Sequence, residues 1–278
     1  MDVAVILATF EQPRWLEKVL LGYAVQTDPN FEMIVADDGS GPETAQVVQA
    51  FRQEHDLPVR HLWQEDRGFR KTRIQNLAIR DSRASYLIFS DGDCIPRRDF
   101  VETHRRLARP GHFLSGMAIR LNRTVSQAIQ PQDIRTGRLF RPGWLYAQGF
   151  NPGRRALKLL PVPGLGRILD GFSSVPARFD AGNASAWRQD LLGVNGFDNR
   201  MGYGLEDQSL GWRLENAGIT GLRVRNRAIC LHLEHSRPYR DQEAMAQNAQ
   251  VRDRIRQEGI VRAEDGLEEL ESVPVTRL

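Results

Sequence analysis

The sequence predicts an α/β fold, with a mostly parallel central sheet flanked by helices and a helical carboxyl-terminal extension. Three observations predict it. Residues 3–8, 31–36 and 86–89 are short, nearly uninterrupted apolar runs, the pattern of strands buried on both faces of a parallel sheet. Between them apolar residues recur at helical spacing, at Trp15, Leu16, Val19, Leu20 and Tyr23, then across 44–52 and 74–79. The second and third runs lead into acids, Asp37-Asp38-Gly39-Ser40 and Ser90-Asp91-Gly92-Asp93. Open α/β sheets bind ligands beyond the carboxyl ends of their strands, which is where these acids fall.

Composition narrows the class. The 278 residues can hold one large domain or two small ones, and 41% hydrophobic content suffices for an ordinary core. There is no run of 18 apolar residues, so no membrane-spanning helix is expected. Asp2 stands where a secretory leader needs base, and the amino terminus reads as a first strand. The two cysteines, Cys94 and Cys230, suit a reduced compartment without a structural disulfide. A cytoplasmic protein is therefore expected. The net charge of +3 is modest and suggests no nucleic-acid partner, although almost all the base is arginine; only Lys18, Lys71 and Lys158 are lysines. Arginine suits bidentate phosphate and carboxylate contacts, and genomic base composition produces the same bias.

The first strand ends in Thr9-Phe10-Glu11-Gln12-Pro13, before the first helix. No Gly-x-Gly-x-x-Gly follows it, which disfavours a dinucleotide-binding oxidoreductase, the alternative α/β enzyme. The acids ending the second strand could meet a nucleotide base or ribose, or cap the next helix. After a short strand at 59–63, the stretch 66–73 (Asp-Arg-Gly-Phe-Arg-Lys-Thr-Arg) concentrates base beside a glycine and runs into a helix. Phosphate binding is favoured over a solvated basic face, because the helix amino terminus also attracts anions. Asp91 and Asp93 repel each other across one glycine, so a cation beside them is expected. A divalent metal bound to phosphate oxygen is the natural candidate. The alternative is a simple turn.

From 116 to 179 the alternation weakens. Between 134 and 169 stand seven basic residues and no acid, interspersed with apolar side chains, and Pro161 and Pro163 prevent one long helix. A mobile loop gripping an anionic acceptor, a patch on anionic lipid and an ordinary basic surface all fit. Order resumes at 180–187, followed by a helix ending near Gly193 and a turn at 196–198. Met201-Gly202-Tyr203-Gly204-Leu205-Glu206-Asp207 leads into a helix over 208–217, closed by Gly218. The two acids suit the positive end of that helix, and the glycines flanking Tyr203 suit backbone approach to a ligand. A last strand over 224–233 runs into His232 and His235, which a continuing strand would place on opposite faces. From Arg240 the chain reads as helical, with Met245, Ala249 and Ile255 as a thin apolar stripe, and the last dozen residues read as frayed.

Read together, these motifs carry a resemblance. Val-Ile-Leu-Ala-Thr-Phe, Val-Ala-Asp-Asp-Gly-Ser, Asp-Arg-Gly-Phe-Arg-Lys-Thr-Arg-Ile-Gln-Asn and Phe-Ser-Asp-Gly-Asp-Cys-Ile-Pro resemble family 2 glycosyltransferases of the GT-A fold. Gly-Asn-Ala-Ser-Ala-Trp, Val-Asn-Gly-Phe-Asp, Gly-Tyr-Gly-Leu-Glu-Asp and His-Leu-Glu-His-Ser-Arg resemble the carboxyl-terminal half of β-1,4-galactosyltransferases and bacterial chondroitin polymerases. The match runs from residue 3 to about 237 in the family's order, leaving 120–178 and the tail after 240 uncovered. It implies a catalytic domain over 1–237, with 120–178 as a variable acceptor-side or membrane-side segment and 238–278 as the extension.

The resemblance implies an inverting hexosyltransferase. Its donor is a nucleotide-diphosphate sugar, UDP-linked by preference, and its cofactor is manganese, with magnesium as the alternative. The acceptor is a surface glycan or glycolipid, reached from the cytoplasm or from the inner face of the membrane. Asp93 and His235 stand where the family holds its metal, with Asp91 nearer the ribose or a metal-bound water and His232 as a further ligand position. Asp38 would meet the base, Thr9 and Glu11 would line its pocket, and Arg67, Arg70 and Arg73 would lie near the diphosphate. Asp207 would be the catalytic base, with Glu206 binding the acceptor and Tyr203 stacking on it; tryptophan is the commoner residue at that position. A sugar hydroxyl is a poor nucleophile, so a carboxylate must take its proton as it attacks. Binding of a nucleotide sugar or glycan without turnover is the reading from another class.

Overall fold

The computed structural model describes residues 1–160, 162–235 and 242–270, with the backbone of 276–277. Pro161, the end of the His-Ser-Arg motif and the expected boundary at 237 lie outside them. Every residue of β1 (Val3–Thr9) is buried, as its apolar run requires. Pro13 opens α1 (Pro13–Ala24), which buries Leu16, Val19, Leu20 and Tyr23 along one stripe. Then follow β2 (Glu32–Asp37), α2 (Pro42–Glu54), β3 (Val59–Trp63), α3 (Lys71–Asp81) and β4 (Tyr86–Asp91). Strands β3, β2, β1 and β4 lie side by side and all parallel, the arrangement that alternating strands and helices produce.

Beyond β4 come β5 (Cys94–Pro96), α4 (Phe100–Leu107), β6 (His112–Ser115) and β7 (Met117–Arg120). Short helices α5 (Arg123–Ala128), α6 (Pro131–Thr136), α7 (Pro142–Ala147) and α8 (Leu165–Gly171) fill the excursion, with 3-10 turns at Arg138–Phe140 and Gly153–Leu159. The chain re-enters the sheet with β8 (Asn183–Trp187) and continues through α9 (Arg188–Gly193), α10 (Glu206–Asn216), β9 (Thr220–Arg223), β10 (Ile229–His232), α11 (Gln242–Glu258) and β11 (Thr276–Arg277). The large sheet runs β11-β3-β2-β1-β4-β8-β6-β9, and β5-β10-β7 form a small second one. Strand β8 is antiparallel to both β4 and β6, so the parallel half ends beside the Asp-Gly-Asp turn.

Strand alternation divides the core into two layers. Val3, Val5, Leu7, Met33, Val35 and Ile88 face α1, α2 and α4. Ala4, Ile6, Ile34, Ala36, Leu87 and Phe89 face α3, α9 and α10, where Phe89 meets Phe179 and Phe197 edge-on.

Three expectations need correction. The last strand does not run over 224–233: β9 and β10 are separate, and the Ala228 amide donates back to the Val224 carbonyl in the turn between them. The carboxyl terminus is not frayed throughout its last dozen residues. Leu267 and Leu270 are buried in the second core layer, and Thr276–Arg277 pairs antiparallel with β3. In α11 the buried positions are Asn248 and Ile255, while Met245 stays exposed.

Candidate active site

A cavity of about 870 Å³ opens over the carboxyl ends of β1, β2 and β4. Thr9, Glu11, Asp38, Asp91, Asp93, Tyr203, Glu206, Asp207, His232 and His235 all line it. The fold thus gathers residues from strands, a helix terminus and a strand exit, more than 200 positions apart in the chain. Gly92 lets the Asp91–Asp93 turn pass β1, because a Cβ there would stand 2.8 Å from Thr9 Oγ1.

On the β1–β2 side, Asp38 accepts from the Arg70 backbone amide at 2.8 Å and from the Gln64 side chain. Burial pushes its carboxyl up to about 6, against the pull of those hydrogen bonds. Glu11, at φ +49°, accepts from the Gly41 amide at 2.7 Å, and Thr9 Oγ1 is buried without a hydrogen-bond partner. The neighbouring acid Asp37 is structural: it holds His61 at 2.9 Å and the Ser40 amide at 2.8 Å beneath the site.

Asp93 meets two imidazoles, with Oδ2 at 2.7 Å from His235 Nε2 and 3.5 Å from His232 Nε2. Burial pushes its carboxyl up, but the His235 hydrogen bond and the two rings outweigh that and hold it below the usual carboxylate range. Strand β10 ends at His232, the Leu233 amide donates to the Asp93 carbonyl at 2.8 Å, and the two rings stack at 5.7 Å and 11°. Ligand atoms of Asp93, His232 and His235 converge within 4.8 Å, a carboxylate–imidazole set that fits a divalent transition ion.

The basic stretch 66–73 behaves differently from expectation. Arg67 pairs with Glu65, the Arg70 guanidinium donates to the Glu65 carbonyl, and Arg73 donates to Gln64 Oε1 at 2.7 Å. None of the three lines the cavity. Lys71 does, with Nζ 2.9 Å from Asp91 Oδ1 and 3.8 Å from Asp207 Oδ2. Burial disfavours its charge, but Asp207, Asp91 and Glu206 prevail and hold the ammonium well above its ordinary value. The sequence signal for it was slight: one of only three lysines, inside the basic stretch that runs into the helix.

Asp207 occupies the first turn of α10, after Leu205 at φ +69°. Its Oδ2 accepts from the Ala181 amide at 3.1 Å, outside α10, and its Oδ1 is buried without a partner. Burial drives its proton affinity well above the ordinary range, with Lys71 opposing. The dipole at the helix amino terminus acts against that rise and does not outweigh it. Glu206 accepts from the Gly204 amide at 2.6 Å and is likewise raised by burial. Tyr203 stands edge-on to Phe69 at 5.7 Å, and both line the cavity.

Residues 4–149 match the family model described as glycosyl transferase family 2. The chain belongs to this family. Residues 173–236 match a second model, described as the N-terminal domain of galactosyltransferase, so Asp207, His232 and His235 fall within it. The uncharacterized glycosyltransferase YfnE of Bacillus subtilis is 26% identical over 271 residues, 84% of this chain and 65% of its own length. Chondroitin synthase of Pasteurella multocida is 29% identical over 105 residues, 37% of this chain and 11% of that protein. This family 2 chain therefore spans less than two thirds of these relatives.

Its fold is GT-A. The mannosyltransferase PcManGT from Pyrobaculum calidifontis, in complex with GDP-Man and Mn2+, superposes with a TM-score of 0.59 at 20% identity, covering 86% of this chain and 58% of that one. S. aureus TarS 1-349 in complex with UDP-GlcNAc gives 0.55 at 16%, covering 86% and 60%.

Proposed function

We propose that this family 2 chain is an inverting, metal-dependent glycosyltransferase. It moves a hexose from a nucleotide-diphosphate sugar, UDP-linked by preference, to a hydroxyl of a bacterial surface glycan or glycolipid. One observation carries the reading: the Asp207 carboxylate, with Oδ1 unpartnered, lines the same cavity as the Asp93–His232–His235 set. The solved GDP-Man and UDP-GlcNAc complexes of like-folded proteins support the donor class, and the chondroitin synthase likeness supports a glycan acceptor.

In this reading Asp207 takes the proton of the acceptor hydroxyl as its oxygen attacks the anomeric carbon. Burial makes it a stronger base than an exposed aspartate. A single displacement from the face opposite the leaving group inverts the anomeric centre. Lys71 sets positive charge beside Asp91, next to the departing diphosphate, in the role the sequence gave to Arg67, Arg70 and Arg73. Asp93, His235 and His232 would hold a divalent ion, manganese first and magnesium second, whose charge neutralises the leaving group. Thr9, Glu11 and Asp38 take the nucleoside, and Asp91 takes the ribose side or a metal-bound water. Tyr203 and Glu206 take the acceptor sugar. Residues 1–237 form the catalytic domain, with 238–278 as its extension.

The test is nucleoside-diphosphate release from a panel of UDP- and GDP-sugars with Mn2+, for the wild type and Asp207→Asn. Release that depends on Asp207 supports transfer. Binding of a donor with no release, with and without glycan acceptors, makes the chain a binding protein and overturns the proposal.

A further inference from the structure

Seven of the eleven large apolar side chains left exposed among the described residues fall between 146 and 175. Phe172 is 89% exposed, Ile168 56% and Val162 54%. The excursion that carries them is anchored, because Leu139, Phe140, Leu145 and Leu159 are buried in the first core layer. The 3-10 turn at Gly153–Leu159 packs on α8, which brings Leu157 and Ile168 onto adjoining elements.

The charge around them has one sign. Arg135, Arg141, Arg154, Arg155 and Arg167 are exposed, Arg138 is paired with the buried Asp133, and no exposed acid lies between 134 and 179. The acid within that range, Asp170, is buried and held by Arg227 at 2.6 Å. An exposed apolar patch of this kind marks a partner surface. Exposed arginines without acids would repel a second copy laid against the same face by a two-fold axis. They match a surface that is anionic and apolar at once, as the headgroup and acyl boundary of an acidic bilayer is.

We propose that the face formed by residues 146–160 and 162–175 docks on an anionic bilayer, with Ile168 and Phe172 entering the interface and Arg154 and Arg167 meeting the headgroups. Arg155, Val175 and Pro176 also line the cavity, so docking sets the cavity mouth at the membrane. Docking stands independently of the transfer reading. The consequence that the acceptor is lipid-anchored rests on it.

The experiment sediments the full chain with vesicles of phosphatidylglycerol and phosphatidylcholine in equal parts, and with phosphatidylcholine alone. Binding is expected to the acidic vesicles, weakening as salt rises. The double variants Ile168→Ser/Phe172→Ser and Arg154→Ser/Arg167→Ser should each bind about tenfold more weakly or worse. Donor hydrolysis in solution should stay at the wild-type level for both. No binding to acidic vesicles, or variants that bind like the wild type, would overturn the proposal. So would a concentration-dependent dimer that the Ile168→Ser/Phe172→Ser change abolishes, which would make this face a self-contact. Vesicle binding by a protein that turns over no donor upholds docking and removes the transfer reading alone.

Discussion

Lys71 Nζ lies 2.9 Å from Asp91 Oδ1, and this ion pair ties the first helical position of α3 to the end of the central strand β4. The same ammonium reaches Asp207 at 3.8 Å. One lysine therefore offsets the burial of two carboxylates. Lys71→Met should cost about 1–3 kcal/mol of stability, less than a fully buried pair because the two side chains keep 17% and 26% exposure. Without the ammonium both carboxyls protonate more readily, so the loss should shrink as pH falls. Thermal melts at pH 5 and pH 8 measure it, and an equal loss at both would count against the pair.

In its proposed role as base Asp207 must be deprotonated, and burial raises its pKa well above the ordinary value. The acid limb of kcat/KM should therefore lie above the usual carboxylate range, with activity falling as pH drops through that raised value. Lys71→Met should move the limb to still higher pH, because Lys71 is the main charge opposing the shift. Asp207→Asn should lower turnover by about 10²- to 10⁴-fold with donor binding retained. Glu206→Gln should raise the acceptor's KM more than it lowers kcat. An Asp207→Asn enzyme near the wild-type rate would leave the mechanism without its base.

Metal dependence should follow the Asp93 set. Asp93→Ala and His235→Ala should each remove most activity. His232→Ala should fall between those two and wild type, since its nitrogen stands at 3.5 Å from Asp93 Oδ2 against 2.7 Å for His235. Asp91→Ala should be milder than Asp93→Ala. Chelator should inactivate the wild type and Mn2+ restore it, and calorimetric titration of Mn2+ should show the same ranking. Full activity in excess chelator would remove the ion from the account.

Asn248 of α11 donates to the Gly202 carbonyl at 2.9 Å and the Gly204 carbonyl at 2.6 Å, on the loop that carries Tyr203. The residue is 2% exposed, so loss of its amide leaves those carbonyls without that donor. Asn248→Ala should loosen the 202–205 loop and raise the acceptor's KM several-fold, leaving donor hydrolysis nearly unchanged. Asn248→Asp, which puts an oxygen against the carbonyls, should be worse. Hydrogen exchange across 202–206 reports the loop directly, and unaltered protection in Asn248→Ala would dismiss the clamp.

Much of the site was legible because its signals are local. The runs at 3–8, 31–36 and 86–89 are apolar on both faces, so each had to be an interior strand, and the acids that follow had to fall at the sheet's carboxyl edge. Asp38, Asp91 and Asp93 reach the cavity for that reason alone. Asp207 was marked by the Gly-Tyr-Gly-Leu-Glu-Asp lead-in to a helix expected over 208–217, which in the structure starts at Glu206. Tertiary structure decided the rest. Whether His232 and His235 share a site depended on how the chain leaves β10, whose ladder ends at His232 and whose next amide, Leu233, is held by the Asp93 carbonyl. Which of the four cations in 67–73 enters the cavity depended on how α3 seats against β1 and β2; that packing turns Lys71 inward and Arg73 toward Gln64. The proton affinity of Asp207 was likewise set by the fold, because chain distant in sequence takes away the water. A sequence carries each residue's reach and charge; the fold sets the dielectric around it and the partner it meets.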